Sequence, residues 1–177
     1  MMEKAMSQHL VLSFIGDDRP GLVERLSDTI ARHHGNWLES RMAHLADKFA
    51  GILTVTVPLE HQEALVNALR NFEQLGLHVT VEMAKQSMME GSTLSLSVVG
   101  NDRPGIVKEV SQVLHSLMVN VKELTTTCEP APMSSDMLFK TDMVLAVPKD
   151  LPLSELEAAL EKISSDLMVE LSVNQFA

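Results

Sequence analysis

Two six-residue segments gather the residue types in this chain best suited to holding a small charged molecule: Gly16-Asp17-Asp18-Arg19-Pro20-Gly21 and Gly100-Asn101-Asp102-Arg103-Pro104-Gly105. Each lies where an alternating apolar segment gives way to a helical period, so its last residues open a helix. Backbone N–H groups there have no intrahelical partner, and the helix dipole favours negative charge. Gly21 and Gly105 allow the backbone to approach a ligand closely. A carboxylate suits such amides, and Asp18 or Asp102 on the same loop would accept hydrogen bonds from an ammonium. Together they describe a site for a zwitterion, a free amino acid. The same residues also have a purely structural use. Pro20 or Pro104 near the first turn gives up an N–H that would be unpaired anyway, and Asp18 or Asp102 can cap the amides behind it.

Other chemistry-bearing residues lead nowhere comparable. His33-His34 are adjacent on a helix, so their side chains diverge, and no cysteine or carboxylate shares their face as a metal ligand set would require. Cys128 stands beside Glu129, which raises rather than lowers a thiol pKa, and no triad-like His or Asp accompanies it. Met88-Met89 read as linker residues. No phosphate-binding Gly-rich loop, H-E-x-x-H or G-x-S-x-G occurs. Asp17 and Asp18 beside Arg19 oppose a dianion, which disfavours an enzyme that binds phosphate on this loop. The expectation is a protein that is not an enzyme and uses no cofactor or metal.

The elements that must position these loops come from a duplication. Sliding the chain by 84 aligns residues 10–39 with 94–123 without a gap, with twelve identities in thirty positions. In each copy a strand (His9 to Ile15; Leu94 to Val98) precedes the loop. A helix follows, with Leu22, Val23, Leu26 and Ile30, or Ile106, Val107, Val110, Leu114 and Leu117, expected inward. Gly35 is expected to end the first of these helices. A hairpin comes next, from about Trp37 to Leu45 and back from Phe49 to Pro58, turning at Asp47-Lys48; its counterpart runs from Val119 to Thr127 and from Met137 to Val147. A second helix carries Leu65, Leu69 and Phe72, or Leu156, Leu160, Ile163 and Leu167, the latter opened by a capping box at Ser154 and Glu157. A last strand (Leu77, Val79, Val81; Val169, Leu171, Val173) closes each copy. The order βαββαβ, twice, is the ferredoxin-like pattern, an α+β fold with antiparallel sheets and helices on one face. The domains are expected at 8–84 and 93–174, joined by a linker over 85–92. Val11, Ile15, Ile52 and Val144 fall on the sheet faces away from the helices, where the other copy or a second chain in a homo-oligomer would cover them.

Composition narrows the function classes. The chain has 177 residues, and 14 Lys plus Arg against 24 Asp plus Glu give a net charge of −10. This removes the attraction on which non-specific nucleic-acid binding depends, and 3% aromatic content leaves few stacking platforms. Direct DNA or RNA binding is not expected. No apolar run approaches the ~20 residues needed to span a bilayer, the start has no signal-peptide core, and one cysteine fits a reducing compartment, so a cytoplasmic protein without membrane association is expected.

Paired βαββαβ units with D-R-P-G between first strand and first helix resemble the ACT family of amino-acid-sensing regulatory domains over nearly the whole chain. The resemblance implies a ligand at a domain interface, held by the strand-to-helix loop and by an Asn at the start of the second strand, the place of Asn36 and Asn120. The segments Asn36-Trp37-Leu38-Glu39-Ser40-Arg41-Met42 and Ala131-Pro132-Met133-Ser134-Ser135-x-x-Leu138-Phe139 are similar to the branch of glycine cleavage transcriptional repressors, which usually has Gly where Ser135 stands. That branch implies repression by contact with a DNA-binding transcriptional activator, relieved by glycine. An allosteric regulatory subunit of an amino-acid metabolic enzyme is the alternative. The copies differ in their hairpins: Asn36 to Pro58 spans 22 positions and Asn120 to Pro148 spans 28. The extra six fall in 128–135, so Cys128, Pro130, Pro132, Met133, Ser134 and Ser135 are expected to form a loop that touches the partner.

Overall fold

The computed structural model describes residues 6–85, 92–163 and 167–173. The chain divides into two units, Met1–Gln86 and Ser87–Ala177. The first contains β1 (Ser7–Asp17), α1 (Leu22–Arg32), β2 (Asn36–Leu45), β3 (Lys48–Pro58), α2 (Leu59–Arg70), a 3-10 turn (Asn71–Leu75) and β4 (Leu77–Met83). The second repeats it with β5 (Ser92–Asn101), α3 (Ile106–Ser116), β6 (Asn120–Pro130), β7 (Met137–Val147), α4 (Leu153–Glu161) and β8 (Leu167–Val173). The strand orders are β2-β3-β1-β4 and β6-β7-β5-β8, with every pairing antiparallel. These are two ferredoxin-like units, the α+β architecture expected from the repeat.

The alternation in β1 accounts for the packing. Leu10, Leu12 and Phe14 turn to the helices and meet Leu26, Ile30, Leu65 and Leu69, all buried. Leu94, Leu96 and Val98 do the same against Val110, Leu114, Leu156 and Leu160. The opposite face of the first sheet leaves Ile15 and Ile52 about half exposed, at 50% and 55%.

Several local expectations are corrected. Val23 and Val107 are exposed rather than inward, because they sit one position past Leu22 and Ile106 and rotate off the buried stripe. The left-handed residue after α1 is His34, with φ 58°, repeated by Met118 at 56°; Gly35 instead lies where a Cβ would strike Ile30. The first hairpin turns at Ala46-Asp47, both with positive φ, and Lys48 already belongs to β3. The Ser154 capping box does not form: α4 starts at Leu153 after Pro152, with no side-chain cap, and Leu167 opens β8 instead of extending the helix. The side chains of Val169, Leu171 and Val173, most of the 85–92 linker including Met88-Met89, and Asn174 lie outside the described residues.

Candidate functional site

β1 delivers the first loop to the start of α1 in a fixed pose. Its last ladder pair is Asp17 opposite Lys48, and their side chains form an ion pair. The hydrogen bond from Lys48 and its charge hold the Asp17 carboxyl below the usual carboxylate range, with Arg19 adding to the effect and slight burial opposing it. The next amide, of Asp18, donates to the carbonyl of Asp47 in the hairpin turn at 3.0 Å. The second unit repeats this anchor, from the Asp102 amide to the Met137 carbonyl at 2.7 Å.

Gly21 and Gly105 are the residues that precede the two helices, with φ of 86° and 96°. Glycine is required there because an L side chain is strained in that conformation. Neither helix has a side-chain cap. The expected capping by Asp18 or Asp102 is therefore not made, and Pro20 and Pro104 precede the cap instead of occupying the first turn. The first main-chain bonds into the two helices run from Arg25 to Gly21 and from Glu109 to Gly105. Amides earlier in each first turn have no intrahelical acceptor, the condition that lets a helix start bind an anion.

In the first unit the loop and helix start surround a cavity of about 280 Å³, lined by Asp18, Arg19, Gly21, Val23, Glu24 and Phe49 among others. This lies near the lower end of the range for small-molecule sites. The Asp18 carboxylate is half exposed, and His44 Nε2 lies 3.8 Å from it. Arg19 is exposed and has no ion-pair partner within 4 Å among the described residues. One cation, the carboxylates of Asp18 and Glu24, and uncapped amides thus share a small concavity whose apolar lining includes Phe49 and Val23.

The second unit keeps the loop and changes its electrostatics. Arg103 is half-buried and grips Glu109 with both guanidinium nitrogens, at 2.7 and 2.8 Å. That hydrogen bond lowers the Glu109 pKa, desolvation opposes it, and the charge of Arg103 adds to the lowering. Asn101 replaces Asp17, so the lysine tie has no counterpart.

Asp18, Arg19 and Gly21 line one cavity, Pro20 lies in the same loop, and Asp17 is engaged by Lys48. Asn36 does not join them within its own unit. It pairs with Thr56, which pairs with His9, whereas the loop follows Asp17 at the other end of β1. Eight residues at ~3.4 Å each separate those ends by about 27 Å. Asn120, opposite Ala146 and hence Thr93, is displaced from Asn101, Asp102, Arg103, Pro104 and Gly105 in the same way. The first strand and the second of each unit run parallel to one another, both antiparallel to the third, so the first helix carries the chain back to the end of the sheet where the first strand began. Sequence reasoning missed Phe49, Glu24, His44 and Glu109, none of which belongs to the loop motif.

The six extra residues of the second hairpin do not form the loop expected over 128–135. Cys128 pairs with Phe139 and Pro130 with Met137, so β6 continues through Pro130. Only 131–136, with Pro132, Met133, Ser134 and Ser135, connects the strands. The turn is closed by the Ala131 amide on the Asp136 carbonyl and by Ser134 Oγ bonded to the Asp136 carboxylate and amide. Met133 at its tip is 100% exposed, and Cys128 is a free, exposed thiol. Among the described residues no helix is long and apolar enough to cross a membrane, and no group of three or more His, Cys, Asp or Glu could hold a metal ion.

The ACT domain profile matches residues 8–82. A UPF0237 protein of Methanococcus maripaludis is 35% identical over 79 residues, which are 44% of this chain and 81% of that one. A crystal structure of an unknown protein from Galdieria sulphuraria superposes with TM-score 0.81 at 30% identity, covering 95% of this chain and 99% of that one. A structure provisionally described as a glycine cleavage system transcriptional repressor superposes with TM-score 0.71 at 16% identity, over 96% and 99% of the two chains, a likeness of fold. The first unit, over residues 8–82, thus belongs to the ACT domain family, and the second unit repeats its D-R-P-G motif and its ferredoxin-like topology.

Proposed function

We propose that this protein is a non-enzymatic, cytoplasmic regulator that binds a small amino acid, most simply glycine, and represses glycine cleavage genes by contact with a DNA-binding activator. The observation that carries the reading is the first-loop cavity, which Arg19 and Asp18 both line at the start of α1, a helix without a side-chain cap. A zwitterion satisfies both signs of charge at once, whereas a phosphate would meet Asp18 and Glu24. The fold shared with the provisionally named glycine cleavage repressor supports glycine as the first ligand to test. So few heavy atoms gain at most ~1.5 kcal/mol each, so micromolar to millimolar affinity is expected, which suits a metabolite sensor.

Repression through a protein partner fits the net charge of −10, which works against phosphate-backbone binding. The exposed 131–136 turn, absent from the first unit, is the proposed partner contact. Pull-down from cell lysate with and without glycine tests the function. Glycine-sensitive recovery of a DNA-binding activator is the expected result; recovery of a metabolic enzyme instead would make the protein an allosteric regulatory subunit. A shift of the glycine cleavage promoter by this protein alone at physiological salt would overturn it.

A further inference from the structure

The two loops share D-R-P-G, yet their arginines are in different states, and the cause lies six residues downstream. Offset by 84, Glu24-Arg25 aligns with Lys108-Glu109, so the charges are exchanged between the copies. In the second unit this exchange puts a carboxylate within reach of Arg103, which binds it through two nitrogens at 2.7 and 2.8 Å. The same carboxylate stands over the helix start, with Glu109 Oε1 3.8 Å from where a Cβ on Gly105 would be. In the first unit Arg25 occupies that position. The first unit does have a carboxylate over its helix start, Glu24 Oε2 at 3.8 Å from the Gly21 Cβ position, but Arg19 has no ion-pair partner within 4 Å among the described residues and stays exposed beside the cavity.

We infer that Glu109 acts as a built-in substitute for a ligand carboxylate, latching Arg103 and closing the second loop, so that the chain binds one amino acid, at its first loop. This rests on the reading of the first loop as an amino-acid site. A bidentate guanidinium–carboxylate pair is among the stronger polar contacts, and a tethered carboxylate acts at an effective concentration that a weakly bound metabolite does not match. The duplication would then have divided the labour: one loop senses through an arginine left exposed, while the other keeps its arginine gripped by a carboxylate of its own chain.

The test is a titration of the isotope-labelled full chain with glycine, reading the backbone amide shifts of Gly21 and Gly105. In the wild type Gly21 should move and Gly105 should not. Glu109→Gln should remove this grip on Arg103 and make Gly105 respond as well, raising calorimetric stoichiometry from one to two per chain. Arg25→Glu should install a latch in the first unit, weakening glycine binding there by tenfold or more; thermal melts show whether both variants are folded. Movement of Gly105 in the wild type, or its silence in folded Glu109→Gln with Gly21 still responding, overturns the latch. Silence of Gly21 in the wild type with Gly105 responding only in Glu109→Gln would overturn the first-loop reading and keep the latch. Silence of both amides in every variant overturns both.

Discussion

The ring of Phe14 occupies the space that Gly51, directly opposite it in the β1–β3 ladder, leaves empty: Phe14 Cζ lies 2.9 Å from where a Cβ on Gly51 would stand. In the second unit the corresponding opposed pair is Val98 and Thr141. A large residue facing none has become a smaller residue facing a branched one. The Thr141 hydroxyl is buried with no hydrogen-bond partner among the described residues.

Filling that space in the first unit alone should be costly. Gly51→Thr would press on Phe14 and also on the Arg41 carbonyl, 2.7 Å from the same Cβ position. Overpacking of this kind costs about 1–3 kcal/mol. Phe14→Val leaves a cavity in a close-packed core and is destabilising as well. Combined, the two should lose less stability than the sum of the single changes, by a coupling of about 0.5–3 kcal/mol in a double-mutant cycle. Strict additivity in denaturant unfolding would show that the two sites are not compensating.

Lys48 should make stability depend on acid. Its contact depresses the Asp17 pKa below the ordinary 3.8, so the stabilisation is fully present above 3.8 and is lost as pH falls through the folded value. Lys48→Met should therefore lower the melting temperature at pH 7, and the gap from wild type should close as the pH is taken well below 3.8. A gap that persists in acid would mean that the lysine acts through packing of its stem.

Much of this architecture was legible because the chain states it twice. The register of D-R-P-G fixed where each first helix begins, and the alternation of Leu10, Leu12 and Phe14 fixed which face is buried. Geometry between distant segments was not legible. Asn36 follows the helix closely in sequence, yet the antiparallel ladder puts it opposite Thr56, far from Asp18. Gly21 was readable as a glycine with a backbone purpose, but that it supplants Asp18 at the helix start is a property of its φ of 86°. The Glu109 grip on Arg103 had a signal in the sequence, the charge exchange between Arg25 and Glu109, visible only when the copies are compared where they differ.

The 131–136 turn should be dispensable for folding and needed for the partner. Its residues are mostly exposed, and its internal bonds, from Ser134 to Asp136 and from Ala131 to Asp136, close only the turn itself. Replacing it by a two-residue turn such as Ala46-Asp47 should leave the melting temperature nearly unchanged, since shortening a loop changes closure entropy only slowly. Repression and recovery of the activator should fall. A large loss of stability with repression intact would assign the turn a structural role.

Asp18→Ala separates the loop's two uses. Had the carboxylate capped α1, its removal would cost ~1 kcal/mol of stability. The helix has no side-chain cap, the anchoring bond to Asp47 comes from the Asp18 backbone amide, and the side chain is half exposed with His44 Nε2 3.8 Å away. Stability should therefore stay within ~0.5 kcal/mol of wild type, as for an ordinary surface substitution. A charge-assisted hydrogen bond to the ligand ammonium is worth about 1.5–3 kcal/mol, so glycine affinity by calorimetry should fall roughly ten- to hundredfold. Because Glu24 also lines the cavity, Glu24→Gln should weaken binding less than Asp18→Ala if Asp18 is the principal acceptor. Equal losses would spread the ammonium over both carboxylates, and unchanged binding in Asp18→Ala would remove this residue from the site.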